Sequence, residues 1–245
     1  RGSIIIGNAS GNPAALAIGS NDYVLTSDGT DIAWEAAGSS GASDLDGLSD
    51  AKSAGTNFTG SLIIGHQTTG TLSSANYNTA VGLTAMDAIT SGDNNVAMGH
   101  GALGANATGS ENVVIGADAM KNSTGSGGDV VIGYLAGRDM EGSTHTTVIG
   151  AYAAYKLTSG DHNTYIGNGC GPGGADSTGS NNTAVGSAAL DAITDGAWNV
   201  AIGTGAMGAT TSGEYNVAVG YNALDANLGG SNNVAVGKDA AGSNT

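Results

Sequence analysis

Apolar residues in this chain come in short blocks, each closed by a glycine. NTAVG ends at Gly82, NNVAMG at Gly99, ENVVIG at Gly116, DVVIG at Gly133 and TTVIG at Gly150. NTYIG, NTAVG, NVAIG, NVAVG and NNVAVG follow, ending at Gly167, Gly186, Gly203, Gly220 and Gly237, and LIIG at Gly65 is a weaker first member. Nine of the ten intervals between these glycines are 17 residues, and the tenth, from Gly167 to Gly186, is 19. A fixed period of this length is the mark of stacked structural repeats. Each block is four or five residues long, β-branched and bounded by glycine, too short and too glycine-rich for a helical repeat. It therefore predicts a short strand with the anchor glycine as the corner after it. A second short segment, as in Ala85-Met86, Ala102-Leu103 and Ala223-Leu224, predicts an opposite wall, and the variable remainder returns the chain to the next rung. The expected architecture is all-β: a narrow β-solenoid of about eleven rungs, ~50 Å long at ~4.8 Å per rung.

Side chains alternate along a strand, so Val200 and Ile202 share one face while Asn199 and Ala201 share the other. Hydrophobicity assigns the Val/Ile columns to the interior of the coil. A rung with two or three such residues, each worth roughly 1.5–3 kcal/mol when buried, is marginal alone and gains from stacking. The other face repeats a small residue, at Ala80, Ala97, Ala184, Ala201, Ala218 and Ala235, beside an asparagine column at positions 78, 95, 112, 163, 182, 199, 216 and 233. A solvated face has no reason to select alanine repeatedly, so this face is expected to pack against another chain. The asparagines either bond along their column or hold their own turns, and the two roles are compatible.

Composition excludes several classes. The chain has 44 Gly but only 2 Pro and no triplet period, which rules out collagen. The strict register of the apolar blocks argues against disorder. With 6 basic and 21 acidic residues the net charge is −15, which disfavours nucleic acid and anionic lipid. No apolar run approaches the ~20 residues of a membrane span, so no membrane insertion is expected. Cys170, the single cysteine, forms no internal disulfide. The chain opens Arg-Gly-Ser without Met and stops partway into a repeat, as expected of a fragment or processed product. Within it, NDYVLTSDGTDIAWEAAG (21–38) reads as a hairpin turning at Asp28-Gly29. Two domains are expected: a hairpin-bearing connector module at 1–47 and a repeat domain at 48–245, joined through the Gly/Ser/Ala stretch 36–43.

Catalytic chemistry is sparse. H-E-x-x-H, G-x-S-x-G and a phosphate loop ending in Lys are all missing. His66 and His100 each follow an anchor glycine two repeats apart, about 10 Å along the stack, too far to share a metal. Asp87 and Asp191 occupy equivalent turns, and carboxylate spacing on so acidic a rod nominates no glycosidase pair. The G-G-x-G-x-D pattern does not repeat, and GSGGD (125–129) occurs once. Thr79, Thr147, Thr164 and Thr183 alternate with valines in their column, so no clean threonine array for ice binding exists. No enzyme activity, cofactor or metal is expected. The 19-residue interval predicts a projecting loop within 168–182. Near it lie aromatics the repeat does not require: Tyr152, Tyr155, Tyr165 and Trp198, with Tyr134 and Tyr221 at corners. These six form a candidate receptor surface, since exposed aromatics offer large contact area at low entropy cost.

The phrases NVAIG, NNVAVG and NTAVG, with Ala-Leu shortly after, resemble the head repeats of trimeric autotransporter adhesins. The period differs, since those repeats are usually about 14 residues and lead to a coiled-coil stalk that this chain lacks. The unit VLTSDGT…W and LSDAKSAGTNFTGSLIIGH (48–66), followed by 17-residue repeats, resemble modules of bacteriophage tail-fibre and virion proteins, especially marine ones. The resemblance implies a left-handed parallel β-roll and a homotrimer with the Ala column on the threefold axis. It also implies a virion-attached, extracellular adhesion fibre whose partners are host-surface glycan or protein and other fibre proteins. A bacterial autotransporter head, a passive spacer and, more remotely, a polysaccharide-degrading tailspike are the alternatives.

Overall fold

The structure is a computed structural model and describes residues 4–7, 13–16, 23–27, 32–36, 51–53, 59–65 and 73–242. The chain divides into two compact units, 1–49 and 50–245. In the first, β1 (Ile4–Gly7) pairs antiparallel with β2 (Pro13–Leu16), and β3 (Tyr23–Ser27) pairs antiparallel with β4 (Ile32–Ala36), setting Leu25 opposite Trp34. The turn expected at 28–29, the linker at 36–43 beyond Ala36, and His66 lie outside the described residues.

The second unit is a parallel β-solenoid of about ten turns, with no helix among the described residues. One twelve-stranded sheet runs its length. It opens with β5 (Ala51–Ser53) antiparallel to β6 (Leu62–Ile64). Three-residue parallel strands follow: β7 (Thr79–Val81), β8 (Val96–Met98), β9 (Val113–Ile115), β10 (Val130–Ile132) and β11 (Thr147–Ile149). The rest are β12 (Thr164–Ile166), β13 (Thr183–Val185), β14 (Val200–Ile202), β15 (Val217–Val219) and β16 (Val234–Val236). Each residue stacks on its equivalent 17 positions away, as Val200 on Val217, and Thr164 still pairs with Thr183 across the longer interval.

The corners explain the glycines. Gly150 has φ 138°, and a Cβ on it would stand 2.2 Å from the Gly167 carbonyl oxygen of the next rung. Only glycine permits that backbone approach. The chain also turns at side-chain-bearing residues in the left-handed region, such as Met207 (φ 54°) and Trp198 (φ 56°). Such positions cost on the order of 1–2 kcal/mol each and persist because bonds to neighbouring rungs hold both sides of the corner, as Met207 N–H to Ala223 O at 2.9 Å.

Inside and outside are exchanged relative to expectation. The strand alternation holds, but the middle residue of each strand points inward. Ala80, Ala97, Ala184, Ala201 and Ala218 are wholly buried within a single chain, and Ala235 nearly so. The Val/Ile residues on either side point outward, with Ile202 41 % exposed. The Ala column therefore does not face a threefold axis. Steric fit overrides side-chain hydrophobicity. The interior is a thin slot whose opposite wall supplies buried Met86, Leu103, Leu190, Met207 and Leu224, leaving room for a methyl group on the strand. In the rungs of β10 to β12, where the strand carries a larger residue, that wall shrinks, whereas Val114 of β9 still faces Met120. Val131 faces Gly137, whose missing Cβ would lie 3.3 Å from Val131 Cγ1, and Tyr165 faces Gly171, whose Cβ would lie 2.6 Å from the Tyr165 ring.

The asparagine column is buried beside the alanines and bonds along the stack. Asn199 donates from N–H and from Nδ2 to Asn182 Oδ1 at 3.0 and 3.1 Å, and Nδ2 also donates to Gly213 O at 2.7 Å. Its own Oδ1 accepts both N–H and Nδ2 of Asn216 at 3.0 and 3.1 Å. A fully paired buried amide contributes about 1 kcal/mol per bond, whereas an unpaired one costs 1–3 kcal/mol in rough terms. In the middle of the rod Asp129 and Thr146 replace asparagine. Asp129 N–H donates to Asn112 Oδ1 at 3.1 Å, and its Oδ1 accepts Thr146 N–H at 2.8 Å. Its Oδ2, in the place of the amide nitrogen, is buried without a partner.

Candidate functional site

The two extra residues of the long rung are absorbed within 174–176. Bonds of regular spacing run up to Lys156 N–H on Pro172 O (2.9 Å), and the ladder resumes two residues out of step with Thr158 N–H on Ser177 O (2.9 Å). Gly174, Ala175 and Asp176 project, replacing a single inward residue such as Leu157 or Ile193 of the neighbouring rungs. The projection expected from the 19-residue interval is present.

Beside it lies a groove of about 720 Å³. Tyr152 and Tyr155 form one wall, the second turn-side wall is Ser187, Ala188, Asp191 and Ala192, and Asn168, Gly169, Gly173 and Gly174 lie between. The floor is bare backbone: at Gly169 and Gly174 a Cβ would meet nothing within 4 Å. Glycine thus leaves the space between the walls open.

The aromatic wall extends one rung back. Tyr134 meets Tyr152 edge-on with centroids 5.4 Å apart, and Tyr152 meets Tyr155 at 6.1 Å. Arg138 lies over the Tyr155 ring at 4.1 Å and donates from Nη1 to its hydroxyl. The same guanidinium grips Asp139 with two bonds of 2.8 Å, and Lys156 Nζ reaches Asp139 Oδ2 at 2.9 Å. Those bonds, the Arg138 one foremost, hold the Asp139 carboxyl well below the usual range. Lys156 also reaches the loop at Asp176, 3.5 Å away. Both cations next to the groove are therefore committed. On the far wall, burial above all, with the Asp225 carboxylate adding, raises Asp191. These two carboxylates converge on Gly208, where a Cβ would lie 3.5 and 3.1 Å from their Oδ1 atoms.

Of the six aromatics expected on a receptor surface, Tyr134, Tyr152 and Tyr155 are brought together. Tyr165 is not on the surface: it is wholly buried, filling the slot opened by Gly171. Trp198 is 48 % exposed but sits at the corner before its strand, stacked face to face on Tyr215 at 5.1 Å. His145 and His162 stack at the same corner at 5.2 Å. Tyr221 stands alone with Lys238 Nζ 5.6 Å from its ring. Sequence reasoning missed Tyr215, although its place 17 residues after Trp198 signals the stack. It also missed the glycine floor, readable as three glycines with no anchor role beside the insertion.

His100 lies 3.6 Å from Asp118, which Lys121 also contacts at 2.9 Å. Among the described residues no three His, Cys, Asp or Glu side chains converge as a metal site would require. Burial pushes the Cys170 thiol up to about 12, as suits a packing residue. The fold and groove define the chain as a β-solenoid repeat protein with one irregular, aromatic-walled rung. Comparisons with protein-family models, with curated proteins and with solved structures find no match.

Proposed function

We propose that this chain is the rod of a homotrimeric attachment fibre, carried extracellularly on a virion such as a bacteriophage tail fibre, with the groove facing the host surface. The setting comes from the resemblance of its repeats and N-terminal modules. The self-association rests on one observation, the outward face of the long sheet. From β6 to β16 the first and third strand positions form two columns holding only Val, Ile, Leu, Met or Thr. None is charged, in a chain with 6 basic and 21 acidic residues. Val81, Met98, Ile115, Ile149, Val185 and Ile202 are all more than a third exposed. A continuous apolar stripe ~50 Å long exceeds the scattered apolar exposure of an ordinary monomer and marks an interaction surface. A regular stripe with a constant rung repeat fits the same stripes of two other copies around a common axis, rung against rung.

The test is native mass by light scattering. The wild-type chain of 23.5 kDa is expected at three times that mass. A variant with Ile115→Asp, Ile149→Asp and Ile202→Asp should become monomeric and keep its β circular dichroism, because these side chains do not build the slot. A monomeric wild type, or an unchanged oligomer in the variant, overturns the reading.

A further inference from the structure

The groove beside the long rung has a chemistry more specific than attachment in general. We propose that it binds an uncharged saccharide unit, stacked on Tyr152 and hydrogen-bonded by the opposite wall and the bare floor; this rests on the attachment reading above.

A pyranose has one flat face of C–H groups and a rim of hydroxyls, each both donor and acceptor. The groove supplies a counterpart to each. Tyr152 is 45 % exposed and is braced edge-on by Tyr134 at 5.4 Å, so its ring is pre-positioned as a platform. The opposite wall carries the Asp191 carboxylate, an acceptor, and the Ser187 hydroxyl, a donor and acceptor. Asn168 is held by Nδ2 on Ala151 O at 3.2 Å. Between the walls, Gly169, Gly173 and Gly174 put no side chain in the way, so a ligand rim can approach the main chain directly. At about 720 Å³ the space is that of an ordinary small-ligand site.

The same residues exclude other ligands. An anionic sugar, phosphate or nucleotide would meet Asp191, while Arg138 and Lys156 are already engaged by Asp139. A wholly apolar ligand would cover the Asp191 and Ser187 side chains without pairing them, at roughly 1–3 kcal/mol each. The stacked pair Trp198 and Tyr215 offers the contrasting case: their faces are spent on each other at 5.1 Å.

Saturation-transfer NMR on the full chain tests the proposal. The probes are neutral glucose, galactose, mannose and N-acetylglucosamine oligomers, with sialylated and sulfated oligosaccharides and a mixed peptide library as competitors. Two variants block the groove in different ways. Tyr152→Asn removes the platform while suiting the left-handed backbone (φ 57°). Gly174→Leu fills the floor from a position where an added Cβ touches nothing. The expected result is a signal from at least one neutral oligomer, weakened at least about tenfold by each variant and unaffected by Trp198→Asn. No neutral signal, a signal that survives both variants, or stronger binding of the anionic or peptide probes overturns the proposal. Native mass is read on every sample. A wild-type trimer without saccharide binding removes the ligand assignment alone, whereas saccharide binding by a monomer removes the fibre assembly alone.

Discussion

The rungs of β13 to β16 and those of β10 to β12 are built from the same period but distribute their contents differently. In the former, alanine lies on the strand, and Leu190, Met207 and Leu224 fill the slot of β13 to β15 from the opposite wall, with Ala241 at the last rung. In the latter, Val131, Val148 and Tyr165 fill it from the strand, and the opposite wall retreats to Gly137, Ala154 and Gly171. The asparagine ladder is unbroken from Asn182 to Asn233 but passes through Asp129 and Thr146 in the middle. The two-residue insertion, the tyrosine cluster and the groove all belong to this irregular stretch or to the rung that follows it. A stack tolerates exchange between its walls provided that the slot stays filled, because the interior is close-packed. Irregular content therefore accumulates locally without disturbing the register on either side.

The strongest way to break the regular half is Ala201→Arg. Ala201 has no solvent and no carboxylate partner in the slot, so the charge is buried unpaired, at a cost of several kcal/mol. The expected outcome is loss of the cooperative thermal transition of the rod by circular dichroism, where an assembly-only effect would leave it intact.

The irregular half should break at Tyr165. Tyr165→Ala removes a wholly buried ring and is expected to destabilise by about 3–5 kcal/mol in denaturant titration. Adding Gly171→Leu should recover part of the loss by converting the rung to the regular arrangement. Leucine already occupies the same left-handed corner at Leu103 and Leu190. A double variant no more stable than Tyr165→Ala would refute the exchange between walls.

The ladder itself distinguishes the halves through pH. Burial raises the Asp129 carboxyl from 3.8 to about 7, with the nearby Asp161 carboxylate adding to the effect. Between these values the folded chain holds a proton that the unfolded chain releases, so stability falls as pH rises from about 4 to about 7. The protonated acid also restores a donor at the orphaned Oδ2. Asp129→Asn supplies that donor permanently. It should flatten this part of the stability profile and stabilise the rod by roughly 1–3 kcal/mol at pH 8. A variant with the wild-type profile would show that Asp129 is not the titrating group.

The smallest effect is expected outside the slot. Trp198→Asn loses the Tyr215 stack, worth about 0.5–1.5 kcal/mol beyond area, while asparagine suits the left-handed corner (φ 56°). A shift of the melting midpoint as large as that of Tyr165→Ala would mean that the corner stack holds the coil.

The sequence alone determined the period, the strand positions, the glycine corners and the place of the insertion. Each of these follows from local rules: β-branched residues extend the chain, and a backbone packed within 2.2 Å of a would-be Cβ at Gly150 admits only glycine. Alternation likewise settled that Asn199 and Ala201 share a face. It did not settle which face is inside, because alternation is symmetric, and hydrophobicity pointed to Val200 and Ile202. Tertiary structure decided otherwise through two non-local conditions. The wall facing β7, β8 and β13 to β15 carries a large residue, so the slot there admits alanine, and the asparagines find partners in adjoining rungs. The same non-local fit buried Tyr165 while leaving Tyr152 on the surface. Both are tyrosines beside the insertion, but only one of them faces a glycine across the slot.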